Sequence, residues 1–138
     1  SAMAPPTSRP SPVVLACGPK DLHTIGLEAF AVVLTRRGWP CRVLGALTPT
    51  GSLVGAVDTL KAPAGVVVAQ RGVTRRAAID SIAAVDALPR VRAFYAGDAF
   101  AAPTARRDVP GVYLGTDVIA AAEILESELT RLGFAQFA

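Results

Sequence analysis

The sequence predicts a doubly wound α/β domain, a five-stranded parallel sheet between two layers of helices. Three observations carry that prediction. Short apolar runs of four or five residues alternate with longer helical stretches along the chain. The composition is 51% hydrophobic but only 6% aromatic, so the surplus is mostly Ala, Val and Leu, a mix suited to strands buried on both faces. The length of 138 residues matches one domain with one core, and with 18% charged residues the chain does not read as disordered.

Residues 1–12 are rich in Pro and Ser without periodicity, and they read as a linker or a cloned terminus, leaving 13–135 as the domain. Val13–Ala16 is the first strand and Cys17–Leu22 the loop after it. A helix from about His23 to Arg37 ends at Gly38, which suits a left-handed C-terminal cap, with Arg36 and Arg37 favourably placed on the helix dipole. Arg42–Gly45 is the second strand. Thr48-Pro49 reads as an N-cap with Pro in the first helical position, opening a helix to about Lys61. Gly65–Ala69 is a run of valines that marks a central strand. Thr74 caps a third helix through about Leu88, stopped by Pro89. Val91–Tyr95 is the fourth strand, Gly97-Asp98 opens a loop and a short helix, and Gly111–Leu114 is the fifth strand. In the last helix, from about Thr116, Val118, Ala122, Leu125, Leu129 and Leu132 form an apolar stripe, with Glu123, Glu126 and Thr130 off it, and Gly133 ends it.

The net charge of +3 comes from scattered arginines, paired at Arg36–Arg37, Arg75–Arg76 and Arg106–Arg107, which read as solvated helix ends. No zinc-finger spacing and no helix-turn-helix pattern is present, so DNA is expected to be contacted only through a separate domain outside this segment. Cys17 and Cys41 form neither a disulfide framework nor a Cys-x-x-Cys pair and read as small core residues. Trp39, after a helix-ending glycine, reads as a packing residue, and Phe94-Tyr95 as the end of a buried strand. There is no secretory signal and no apolar stretch near the roughly 20 residues that cross a bilayer, so a cytoplasmic location without membrane contact is expected.

In doubly wound sheets ligands bind beyond the carboxyl ends of the strands, where strand order reverses. The loops to watch are therefore Cys17–Leu22, Gln70–Val73 and Gly97–Phe100. The one histidine of the chain, His23, stands at the end of the first, within Asp21-x-His23-x-x-Gly26. An imidazole nitrogen suits a borderline transition metal such as cobalt, and a nearby carboxylate on the other ring nitrogen fixes the tautomer and raises basicity. Gly26 removes a side chain where a large ligand would press on the backbone, and Gly18-Pro19 makes the loop tight. Gly-x-Gly-x-x-Gly and the phosphate-loop motif are both absent, which weakens nucleotide readings.

Asp21-x-His23-x-x-Gly26 between a first strand and a first helix resembles the signature of cobalamin-binding domains, whose fold is flavodoxin-like and Rossmann-like. In that family the histidine replaces the nucleotide base below cobalt and the Asp hydrogen-bonds to it. The run from His23 to Phe30, then Leu34 to Trp39, Arg42 to Gly45 and Thr48-Pro49, is similar to the C-terminal sensor domains of bacterial MerR-type, light- or cobalamin-responsive transcriptional regulators. The likeness is strongest over residues 13–60 and thinner to 132. It implies cobalamin as cofactor (adenosylcobalamin or hydroxocobalamin), His23 as the lower cobalt ligand, and cofactor contacts from Gly18, Asp21, His23, Thr24, Gly26, Gln70 and Gly97. Two departures bear on the cofactor's buried nucleotide tail. The family's Ser-x-Leu after the third strand is Ala69-Gln70-Arg71 here, and its paired glycine after the fourth is Ala96-Gly97.

The resemblance implies a sensory module of a transcriptional regulator, not an enzyme, in which cobalamin biases assembly. In light-sensing relatives, which are photoreceptors, an adenosyl group on the upper corrin face lies under a helical bundle and light breaks the cobalt–carbon bond. These residues hold no such bundle, so an open upper face is expected. Two alternatives stand beside this reading. One is the cobalamin-carrying subunit of a mutase or methyltransferase, whose acid, base and radical control would come from a partner. The other is a degenerate domain of the same fold that no longer binds cobalamin. The Ala-rich helix surfaces permit a homo-oligomer.

Overall fold

Alternate side chains of the central strands point to opposite faces, so a strand with a helix layer on each side must be apolar throughout. Val13–Cys17 (β1) and Ala64–Val68 (β3) are buried at every position in the computed structural model, which describes residues 11–21 and 25–134. Around them lie Cys41–Gly45 (β2), Arg92–Ala96 (β4) and the two-residue Val112–Tyr113 (β5), in the order β2-β1-β3-β4-β5 with every pairing parallel. This is the flavodoxin-like order, in which the chain winds one way from β1 to β2 and the other way from β3 to β5. The order therefore reverses between β1 and β3.

The helices Ile25–Arg36 (α1) and Val118–Arg131 (α4) cover one face, where Leu27, Phe30, Leu34, Leu125 and Leu129 pack on Leu15, Val66 and Phe94. Thr50–Leu60 (α2) and Arg75–Asp86 (α3) cover the other, where Leu53, Val57, Ile82 and Val85 meet Val14, Val67 and Tyr95. A Cβ on Gly65 would stand 3.0 Å from Val85 Cγ1 and 3.3 Å from Val57 Cγ2, so glycine there lets α2 and α3 close on the sheet. Arg37 Nε donates to Glu126 Oε1 at 2.7 Å, tying α1 to α4. Glu128 accepts from Arg92 and Arg131; the Arg131 hydrogen bond is the larger cause holding its carboxyl below the usual range, with Arg92 adding to it.

Helix ends follow the sequence in part. Gly38 adopts φ 91°, and its N–H and that of Trp39 bond to the carbonyls of Thr35 and Leu34, a Schellman cap that delivers Trp39 into the core at 2% exposure. Gly133 closes α4 in the same way. Thr48 does not cap α2: its hydroxyl donates to Gly45 O at 3.0 Å, the helix begins at Thr50, and Pro49 holds the N-cap position. Thr74 does stand at the N-cap of α3, but its hydroxyl donates back to Arg71 O. α4 is capped by Asp117, which accepts from Ala120 N–H at 2.8 Å. The stripe on α4 holds for Ala122, Leu125 and Leu129, whereas Leu132 lies past the last turn and is 44% exposed. The short helix expected after Gly97-Asp98 is a pair of 3-10 turns, Asp98–Phe100 and Pro103–Arg106. Cys17 is buried, Cys41 is half-buried, and no disulfide joins them.

Candidate functional site

The carboxyl ends of β1, β3 and β4 lie side by side at the point where strand order reverses, and the loops leaving them are laced together by backbone hydrogen bonds. Gly18 N–H donates to Val68 O, which holds the first loop against β3, and Asp21 N–H donates to Gly18 O. A Cβ on Gly18 would come within 3.2 Å of Ala78 Cβ, so this glycine admits α3. The outcome is a turn that buries Asp21 to 1% exposure.

A buried carboxylate must be hydrogen-bonded. Asp21 Oδ2 accepts from Gln70 N–H at 2.7 Å, and Asp21 O accepts from Leu47 N–H at 2.9 Å, so the loops after β2 and β3 both fasten onto it. Its charge is felt nearby: the Cys17 thiol is pushed up to about 11, first by burial and then by Asp21. Leu22, His23 and Thr24, and with them the expected contact between Asp21 and His23, lie outside the described residues.

Gln70 extends the network to the next loop, where its Oε1 accepts from Asp98 N–H at 3.0 Å. Gly97 beside it has φ 109° and ψ 165°, a region reserved for glycine, and a Cβ there would stand 2.1 Å from Ala69 O. The β3 and β4 loops can approach this closely only because Gly97 has no side chain. Between the first turns of α1 and α4, above the ends of β3 and β4, lies a cavity of about 70 Å³. Phe30, Val68, Val118 and Ala121 form its apolar walls, Gly26, Ala96, Gly97 and Gly115 its small-residue surfaces, and Gln70, Thr116 and Asp117 its polar ones. Two larger hollows, of about 400 and 500 Å³, lie on the outer side of α4 and at the opposite end of the strands, away from the reversal of strand order.

Of the expected cofactor contacts, Asp21, Gly26, Gln70 and Gly97 converge on this region, while Gly18 serves the packing of α3. Beyond the apolar walls Phe30, Val68, Val118 and Ala121, sequence reading missed a whole loop of the lining, Gly115, Thr116 and Asp117. The signal was present, since the loop after the fifth strand leaves the same end of the sheet as the others. No group of three or more His, Cys, Asp or Glu able to hold a metal is present among the described residues.

No protein-family model matches the chain, and no curated protein matches it in sequence. Solved structures match it in fold. The methanol:cobalamin methyltransferase complex MtaBC from Methanosarcina barkeri aligns with TM-score 0.74 and 20% identity, over 90% of this chain and 47% of that one. A cobalamin-binding protein from Desulfitobacterium hafniense DCB-2 aligns with TM-score 0.75 and 17% identity, over 86% and 59%. The monomethylamine corrinoid protein of Methanosarcina barkeri aligns with TM-score 0.71 and 15% identity, over 82% and 55%. The chain thus spans about half the length of the structures it matches, and the likeness establishes the fold: a five-stranded, parallel, flavodoxin-like α/β domain of Rossmann-like winding.

Proposed function

We propose that the chain is a cobalamin-binding domain, with His23 as the lower cobalt ligand, acting as the sensor part of a transcriptional regulator whose DNA-binding domain lies outside this segment. The observation that carries the reading is Asp21. A carboxylate two residues before the chain's one histidine is buried at the reversal of strand order and pinned there by Gln70 N–H. Such a carboxylate is suited to orient an imidazole and raise its basicity toward a metal. The structural neighbours support the cofactor class, since the names of all three include cobalamin or a corrinoid.

The donor set fits such a group in kind. His23 would be the protein's one donor to the cobalt and the corrin would supply the macrocyclic nitrogens, so a cluster of protein ligands is not required. Asp21 would orient His23, with Thr24 beside it. Gly26, Gln70 and Gly97 would wall the region below the corrin, and Gly18 would keep the first loop tight. When bound, the group would supply a cobalt centre able to exchange a ligand. The protein's contribution would be to hold His23 at the carboxyl ends of the strands.

A second reading, a cobalamin-carrying subunit of a methyltransferase, is favoured by the MtaBC neighbour. The regulator reading rests on the likeness of residues 13–60 to sensor domains. A visible absorption titration with hydroxocobalamin and adenosylcobalamin, in the dark and after illumination, tests the cofactor. A saturable shift in the wild type that changes form in His23→Ala is expected; identical spectra for the two chains would remove His23 as ligand. Sedimentation of the loaded protein then separates the two readings. A change of assembly with ligand or light belongs to a sensor, and an unchanged monomer belongs to a carrier.

A further inference from the structure

The end of the sheet away from the reversal of strand order carries a hollow of about 500 Å³. Val57, Leu88 and Phe134 are among its apolar walls, and its charged groups are Lys61, Arg90 and Asp58. The two cations reach it by parallel routes. Lys61 closes α2 in the turn to β3, and Arg90 stands in the turn from α3 to β4. The turns run side by side, since Arg92 N–H donates to Pro63 O at 2.9 Å and Ala64 pairs with Arg92.

Both cations occupy backbone that favours glycine. Lys61 has φ 55° and Arg90 φ 62°. Glycine reaches that region without the Cβ penalty, so a long side chain is held there at a cost in stability. Four non-glycine residues among the described ones have positive φ, and two of the four share this one hollow. Strain retained in this way points to a use for the side chains. Packing is not that use, because both residues are exposed. Nor is internal charge pairing, because neither forms a salt bridge among the described residues, with Asp58 or any other carboxylate.

We infer that this hollow binds a small apolar acid, a carboxylate on an aromatic or branched hydrocarbon body, independently of any corrinoid at the other end of the strands. Its volume falls within the roughly 300–1,000 Å³ of small-molecule sites, which are apolar with a few polar groups that fix orientation. The apolar walls take the hydrocarbon, and Lys61 and Arg90 take the carboxylate. Two cations against Asp58 leave the rim net positive, which selects an anion over a cation. A neutral ligand would make no use of either cation.

The test is a proton–nitrogen correlation NMR titration of the whole chain with naphthoate and with naphthamide, its uncharged counterpart, at low and high salt. Saturable shifts are expected at Lys61, Ala62, Arg90 and Val91. Naphthoate should bind about tenfold tighter than the amide at low salt, with the gap closing at high salt. Lys61→Gly and Arg90→Gly should each weaken naphthoate about threefold and leave naphthamide unchanged. Both should keep a urea midpoint at or above that of wild type, since glycine suits both turns. Asp58→Asn should tighten naphthoate by removing a repulsion. The absence of a saturable shift with either probe overturns the inference. So do equal affinities for acid and amide, shifts confined to the loops at the carboxyl ends of the strands, or an affinity for naphthoate unmoved by both glycine variants. A lowered midpoint in either variant would show that packing holds the cation in place, and would remove the strain on which the inference stands.

Discussion

Gly26→Ala separates stability from ligand binding. Gly26 is the second residue of α1 and lines the cavity, and it is not among the glycines with positive φ. A Cβ built there meets one atom within 4 Å, Gln70 Nε2 at 3.8 Å, an ordinary contact. Alanine in a compatible helical position stabilises by ~0.4–1 kcal/mol relative to glycine, chiefly by restricting the unfolded chain. For a domain of this size that corresponds to a rise of roughly 2–4 °C in Tm. The same methyl takes space from a cavity of only about 70 Å³. A methylene added to a tight pocket is worth ~1–3 kcal/mol, so affinity for a ligand seated there should fall by tenfold or more. The assays are a thermal melt followed by far-UV circular dichroism and a corrinoid titration on the same preparation. A Tm lowered by several degrees would refute the open-space argument. A raised Tm with unchanged affinity would mean that Gly26 does not face the ligand.

Gly97→Ala should act in the opposite sense, because its Cβ would stand 2.1 Å from Ala69 O at a backbone geometry reserved for glycine; a loss above ~4 kcal/mol is expected, a large part of a small domain's stability, and a denaturation midpoint near that of wild type would contradict it. Lys61 sits in the left-handed C-cap of α2 at φ 55°, so Lys61→Gly should stabilise by about 1 kcal/mol, read as a raised urea midpoint at constant m-value. Asp21→Asn keeps a carbonyl oxygen for Gln70 N–H but loses the charge; the fold should persist by circular dichroism while corrinoid affinity drops, and unaltered affinity would confine Asp21 to a structural role. Cys17 and Cys41 are both raised from 9.0 to about 11, chiefly by burial, so unfolded thiols ionise before folded ones. Stability should be level with respect to these groups below pH 9 and decline toward pH 11, and a thiol reagent at pH 8 should react fully only after denaturant is added.

The order of strands and helices was legible because each face of the sheet leaves its own mark. β1 and β3 are continuous apolar runs since both their faces are covered, and α4 carries a helical stripe since only one of its faces is. Gly38 and Gly133 were legible as stops because a left-handed cap favours glycine in any context. Thr48 was not, because its hydroxyl had two backbone partners within reach, and the carbonyl of Gly45, turned at φ 94°, won over the helix N-terminus. Nor was the cap at Lys61, where an αL residue with a full side chain closes α2 against expectation. The segment after β4 carries Pro103 and Pro110 within a dozen residues, which limits it to 3-10 turns. At the site, residue types were readable but their joins were not. Asp21 and Gln70 are 49 positions apart, and nothing local to either implies the 2.7 Å bond between them.

That bond changes how the site is to be understood. Residue 70 touches the loop after β1 through its backbone N–H and the loop after β4 through its side chain. Gln70 lines the cavity, and its own N–H is the group that pins Asp21. The pocket below the site and the carboxylate proposed to orient His23 are therefore mechanically joined at a single position, over a path of two hydrogen bonds. A serine at residue 70 would retain the backbone half of this link but would be too short to reach across to Asp98 in the same way. The departure at Ala69-Gln70-Arg71 is thus more than the loss of a family residue. The family's serine falls at Ala69, and the unspecified position after it carries Gln70, a side chain long enough to reach Asp98 N–H while its own N–H holds the buried Asp21.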